Sequence, residues 1–292
     1  MNDDRIVVVG ADGSRAGLEA VTWAATVALQ RRYRLDIVHA FAWPTVYAPM
    51  AGPVPAPYEQ GVQEAAERTL AEAAARAQTV APGLEVRTDL QLQLPAAALV
   101  AASQHAAVVV VGNRGHGGFT GLLLGSVGIE LATHAACPVV IVRHEDRPAG
   151  PEAGRIVVGV DGSHDADRAL QFAFEQASFR DTGLTAVHTY QWPASAAPGD
   201  MQPLVYDPDD LRAEERRVLA ESMAGWAGKY SDVDVRHSVV LGRPAAVLTE
   251  LSAGAELLVV GSRGRGGFAG LLLGSVSQTV IRHAACPVAV VR

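Results

Sequence analysis

Cysteine is scarce. The 292 residues hold two, Cys137 and Cys286, too few to suggest a disulfide framework. No apolar run approaches the roughly 18–20 residues that a membrane-spanning helix needs. Positive charge is in deficit, and the net charge of -7 argues against non-specific binding to nucleic acid or anionic membrane. Such binding needs a basic surface, although a local basic patch stays compatible with this total. Met1-Asn2-Asp3-Asp4 is acidic and runs straight into an apolar strand pattern, unlike a signal peptide. No Cys/His cluster has zinc-like spacing, so no structural metal is expected. With 49% apolar and 19% charged residues, the expectation is a globular, reduced, cytoplasmic protein long enough for two domains.

What is present is a repeat. Ala106 to Arg143 and Ala255 to Arg292 align without a gap and agree at about 24 positions, far beyond shared composition. The same offset pairs Asp12 with Asp161, His39 with His188, Trp43-Pro44 with Trp192-Pro193, Pro95 with Pro244, and Cys137 with Cys286. The two halves therefore share one fold. Their seam falls in His144 to Gly154, HEDRPAGPEAG, a polar linker composition. Domains over 1–145 and 154–292 are expected.

Within the first half, Arg5 to Gly10 reads as a strand buried on both faces. An Ala/Leu-rich helix follows to Gln30, with Ser14 or Asp12 as its N-cap. Leu35 to Ala40 is a second strand, Trp43 to Pro57 a Pro-rich loop, Tyr58 to Val80 a helix and Leu84 to Leu90 a strand. Pro95 to His105 reads as a helix with proline in its first turn, Val108 to Val111 as strand, Leu123 to His134 as helix, and Pro138 to Val142 as strand. Such alternation means βαβ units and a parallel sheet covered by helices on both faces. Ligands then bind beyond the carboxyl ends of the strands, where the topology switches sides. The last strand of each half is expected at a sheet edge, where the halves would pair as a pseudo-dimer.

The strongest chemical signal is Gly112-x-x-Gly115-x9-Gly125-Ser126, repeated as Gly261-x-x-Gly264-x9-Gly274-Ser275. Glycines there allow close backbone approach to a ligand and positive φ. A helix start at Gly125-Ser126 offers free amides and a positive dipole end to an anion, with the Ser126 hydroxyl as donor and cap. The competing reading is a connection shaped by packing alone. The loop is not a Walker A motif, because no Lys-Ser/Thr pair follows the glycines, nor is the first turn, Gly10-Ala11-Asp12-Gly13-Ser14, a G-x-G-x-x-G fingerprint. An aspartate in that turn can accept from a ribose hydroxyl or adenine amine, help hold a metal, or simply cap the helix.

These turns (Gly159-Val160-Asp161-Gly162-Ser163 in the second half), the glycine loops and the two HAACPV stretches resemble the universal stress protein family, most closely its tandem actinobacterial form. The resemblance covers essentially the whole chain. It implies two flavodoxin-like, Rossmann-like α/β domains, each a five-stranded parallel sheet with helices on both faces, and ATP held by the glycine loop and first turn. The identity of any accompanying metal, such as Mg2+, is left open.

Carried over, Gly10, Ala11 and Asp12 with Gly159, Val160 and Asp161 are the first-turn residues at the nucleotide. Ala40 and Thr189 match the position whose backbone reads adenine. The phosphate loops are Gly112, Arg114, Gly115, His116, Gly117, Gly125, Ser126 and Val127, and Gly261, Arg263, Gly264, Arg265, Gly266, Gly274, Ser275, Val276 and Ser277. Two departures make unequal sites expected. Gly128 stands where the second half has Ser277, removing a hydroxyl near the phosphates. His116 replaces Arg265, making charge compensation pH-dependent in the first site.

His134 and His283 read as complements to a helix dipole, the cysteines as buried small residues, and His39 and His188 as pocket walls. Trp43 and Trp192 suit an adenine cover or loop packing equally. Thr45 to Pro57 and Ala194 to Pro208 are expected to be mobile. The leading function is a nucleotide-dependent sensor or regulator in stress or dormancy, the stress role coming from the resemblance alone, in a chain that forms a homodimer. The alternatives are a slow ATPase or nucleotidyl transferase, which lacks a positioned base, arginine finger or two-metal carboxylate set, and an interaction scaffold with vestigial sites.

Overall fold

The computed structural model describes residues 6–42, 56–115, 124–143, 150–192, 207–266 and 272–292. Trp43, His116, Gly117 and nearly all of the two Pro-rich loops lie outside them. The chain divides into two compact units: residues 1–146 with 287–290 and 292, and residues 147–286 with 291.

In the first unit, β1 (Ile6–Gly10), β2 (Arg34–Ala40), β3 (Val86–Gln91), β4 (Val108–Gly112) and β5 (Val139–Val142) lie in the order β3-β2-β1-β4-β5. All four neighbouring pairs are parallel. Within the same unit, Val288–Val290 run antiparallel to Val139–Ile141. The chain steps outward from β1 to β3, then returns to build β4 and β5 on the other side of β1. Right-handed crossovers then put α1 (Arg15–Arg31) and α2 (Ala56–Val80) on one face and α3 (Pro95–Ala102) and α4 (Ser126–His134) on the other. The switch point lies between β1 and β4. Val7, Val9, Val108, Val109 and Val110 are fully buried there, as a strand covered on both faces requires.

Local signals set the helix limits. The Ser14 hydroxyl accepts from the Gly17 amide at 3.0 Å and caps α1, which ends on Arg32 in the left-handed region (φ 56°). Pro95 occupies the first turn of α3, where its missing N–H costs nothing. A short 3-10 turn, Ser103–His105, replaces the expected last turn of that helix, and the Ser103 hydroxyl accepts from the Ala136 amide at 2.9 Å.

The second unit repeats the plan with β6 (Arg155–Gly159), β7 (Gly183–Tyr190), β8 (Val235–Leu241) and β9 (Leu257–Gly261), in the order β9-β6-β7-β8. Its helices are α5 (His164–Arg180), α6 (Pro208–Met223), α7 (Trp226–Lys229), α8 (Pro244–Leu251) and α9 (Ser275–His283). The fifth strand of this repeat is β10 (Val288–Val291). Ser163 caps α5 through the Ala166 amide, with Asp165 and Asp167 in the first turn to complement the dipole. Both cysteines are buried and outside any disulfide, as their apolar reading anticipates. No helix among the described residues is long and apolar enough to cross a membrane.

Candidate functional site

The first turn and the glycine loop leave neighbouring strands, β1 and β4, at their carboxyl ends, and so meet at the switch point. Asp12 organises the turn. Its Oδ1 accepts from the Ser14 amide at 3.0 Å and the Ser14 hydroxyl at 2.6 Å. Gly13 takes φ 81° between them, a left-handed backbone that strains any side chain. The Ala11 amide donates to Val38 O at 2.9 Å, and His39 Nδ1 donates to Ala11 O at 2.7 Å. These two bonds lock the turn onto β2.

Of the two readings of the loop glycines, close packing is the one with contacts among the described residues. None of the described loop glycines has positive φ. Instead, a Cβ on Gly112 would stand 2.7 Å from the Ala16 carbonyl, and one on Gly115 only 2.3 Å from Asp12 Oδ2. Gly112 lets the loop press on the start of α1 and Gly115 on the first turn, so packing explains both without a ligand. Gly125 is under no such pressure, since its Cβ would meet atoms no nearer than 3.7 Å.

Gly125 rather than Ser126 caps α4, and no side chain supplies a cap bond. Ser126 is the first helical residue, because the Gly125 amide donates back to Asn113 O at 2.8 Å and fixes the helix start there. The amides of Ser126, Val127 and Gly128 have no partner among the described residues. They are the orphan donors of a helix N-terminus, turned toward the switch point.

The second unit reproduces this frame and adds charge. Asp161 Oδ1 accepts from the Ser163 amide at 3.0 Å and Oδ2 from the Arg265 amide at 2.9 Å. A Cβ on Gly264 would lie 2.3 Å from that same Oδ2. Gly162 has φ 72° and lies against the Arg265 guanidinium. Gly274 caps α9, and the Gly274 amide closes on Ser262 O at 2.8 Å. Ser275, Val276 and Ser277 present their amides as in the first unit. The Ser277 hydroxyl does not face that space: it is buried and donates to Gly261 O at 2.6 Å. The expected phosphate-side hydroxyl is thus a strand-end clamp, and its absence at Gly128 removes no ligand.

Ala40 and Thr189 sit half-buried at the ends of β2 and β7, one strand away from the first turns. Gly266 is exposed beside Arg265, and Trp192 is exposed beyond β7.

Two groups escaped the sequence reading. Asp165, where the first repeat has Ala16, is buried and accepts from the Ser262 hydroxyl at 2.9 Å, the Arg263 amide at 3.1 Å and Arg263 Nε at 3.5 Å. Glu215, where the first repeat has Ala66, meets His188 Nε2 at 2.7 Å while His188 Nδ1 donates to Val160 O at 2.7 Å. The differences between repeats were visible, but their targets lie far along the chain. No group of His, Cys, Asp and Glu suited to a metal occurs among the described residues.

The universal stress protein family model matches residues 5–143 and again 152–292. The chain belongs to the universal stress protein family. It is 38% identical over 293 residues to a universal stress protein of Mycolicibacterium smegmatis, covering 98% of this chain and 96% of that one. A universal stress protein of Mycobacterium tuberculosis is likewise 38% identical over 300 residues, with the same coverages. Among solved structures, a universal stress protein from Archaeoglobus fulgidus aligns with a TM-score of 0.66 at 22% identity, covering 98% of this chain and 96% of that chain. That likeness shows the fold. The tandem universal stress protein architecture thus spans nearly the full length of the relatives it matches.

Proposed function

We propose that this universal stress protein binds ATP at both switch points and works as a nucleotide-dependent sensor or regulator in stress or dormancy, each half acting as one nucleotide-binding domain (1–145 and 154–292). The observation that carries the reading is the pair of helix entrances, where three successive amides in each repeat lack a protein partner. Such groups, with the positive end of the helix dipole behind them, favour a phosphate. The adjoining first turns supply the adenosine side: backbone at residues 10–12 and 159–161, and the strand ends at Ala40 and Thr189. His116, Gly117, Arg265 and Gly266 would flank the phosphates. Cytoplasmic residence, a pseudo-dimer of the repeats and a homodimer of chains belong to the same proposal, with Mg2+ as the candidate companion of the phosphates.

The test is native purification followed by mass identification of any retained nucleotide, then calorimetric titration of ATP into the full chain. Bound ATP and two binding equivalents are expected. A protein that is empty and refuses ATP would overturn the reading in favour of a scaffold. Retained ADP with turnover of added ATP would move it to a slow ATPase. Sedimentation that finds only single chains would remove the homodimer alone.

A further inference from the structure

The second unit has an open groove between α6 and the edge strand β8, with a volume of about 370 Å³ and a lining of Arg212, Arg216, Leu219, His237, Ser238 and Val239. That is within the size range of small-ligand pockets. Its apolar floor is shared between repeats, since Leu219 and Val239 correspond to Leu70 and Leu90. Its rim is not. Arg212, Arg216, His237 and Ser238 stand where the first repeat has Gln63, Glu67, Thr88 and Asp89.

The first repeat satisfies its rim internally. Gln63 donates to Glu67 at 3.0 Å, one turn along α2, and Gln91 donates to Asp89 at 2.6 Å. The second rim has no such closure. Arg212 and Arg216, also one turn apart, are like charges that repel. Glu215, the carboxylate next in sequence, is taken by His188 at 2.7 Å. Among the described residues, no carboxylate comes within ion-pair distance of Arg212, Arg216 or His237.

We infer that this groove is a second anion site, separate from the helix entrances, which takes a small organic phosphate. Two guanidinium groups one helical turn apart match a dianionic phosphate by charge-assisted hydrogen bonds. His237 and Val239, two apart on β8, share one face, so the imidazole adds a polar contact while Leu219 and Val239 accept the apolar part of the ligand. The floor makes the site prefer an organic ester to free phosphate.

Phenyl phosphate and inorganic phosphate are titrated at low ionic strength into the full wild-type chain and into R212Q/R216Q. Both arginines are exposed, so the variant is expected to fold, which circular dichroism checks. The expected result is tighter binding of phenyl phosphate than of inorganic phosphate, and at least a tenfold loss of phenyl phosphate affinity in the variant. ATP affinity stays the same in both proteins. No binding to wild type, or equal phenyl phosphate affinity in the two proteins, overturns the site. A parallel loss of ATP affinity also overturns it, by assigning the arginines to the nucleotide site.

Discussion

Asp161 Oδ2 stands where a side chain on Gly264 would have to begin, 2.3 Å from that glycine's would-be Cβ. The same oxygen accepts the Arg265 amide. A strand-end carboxylate and a glycine from a loop over a hundred residues later are thus fitted to one another. Asp12 and Gly115 repeat the fit at 2.3 Å. G264A must therefore push the carboxylate out of its turn. Overpacking of this kind costs about 1–3 kcal/mol, read as a lower urea midpoint. Combined with D161A, the penalty should shrink well below the sum of the two single changes. Simple additivity would show that the contact is not the cause.

The two proposed nucleotide sites are expected to respond unequally. The second has Arg265 and the Asp165–Arg263 contact beside its loop, and the first has His116 in place of Arg265. ATP titrated separately into D12A and D161A should lose more affinity in D161A. A larger loss in D12A reverses the ranking.

Ser277 separates clamp from ligand. S277A leaves the buried Gly261 carbonyl without its hydroxyl donor, a loss of about 1 kcal/mol. Thermal unfolding should register it while ATP affinity stays at the wild-type value. A matching fall in ATP affinity would place the hydroxyl at the phosphates after all.

Burial pushes the Cys137 thiol up from 9.0 to about 12. A folded-state value raised in this way keeps the thiol protonated while the unfolded chain ionises, so its stabilising share is lost as pH rises above about 9. At pH 8 the native thiol should resist iodoacetamide and react only in denaturant. Rapid labelling of native Cys137 would contradict that.

Asp234 works in the opposite direction. Its carboxylate lies 2.6 Å from the Arg155 guanidinium, whose hydrogen bond and charge hold it below the usual 3.8. A depressed value stabilises the fold above the unfolded pKa, and that share fades as pH falls through 3.8 and below. D234N should therefore flatten the acid limb of stability against pH. Parallel acid limbs for the two proteins would remove the pair from the account.

Much of this architecture could be read from period and punctuation. The repeat shows in the sequence directly, and the strand runs ended by glycine, the prolines opening α3 and α8 and the capping serines each act within a few residues. Their signals are local. The contacts that were misread are those across strand ends. The glycines at 112 and 115 announced a constraint, but sequence alone could not tell a ligand from the Ala16 carbonyl or the Asp12 carboxylate. Ser277 looked like a phosphate donor because its place after the loop was known and its target, Gly261 O, was not. Asp165 and Glu215 differ from Ala16 and Ala66 of the first repeat, but only the folded chain shows their partners: the end of β9, beside β6 at the switch point, for Asp165, and His188 on β7 for Glu215.

The amide of Gly125 returns the chain to the carbonyl of Asn113, and Gly274 does the same at Ser262. One backbone hydrogen bond in each half thus ties the start of a helix to the end of a strand, so any change that shifts Gly125 or Gly274 carries the helix-entrance amides with it.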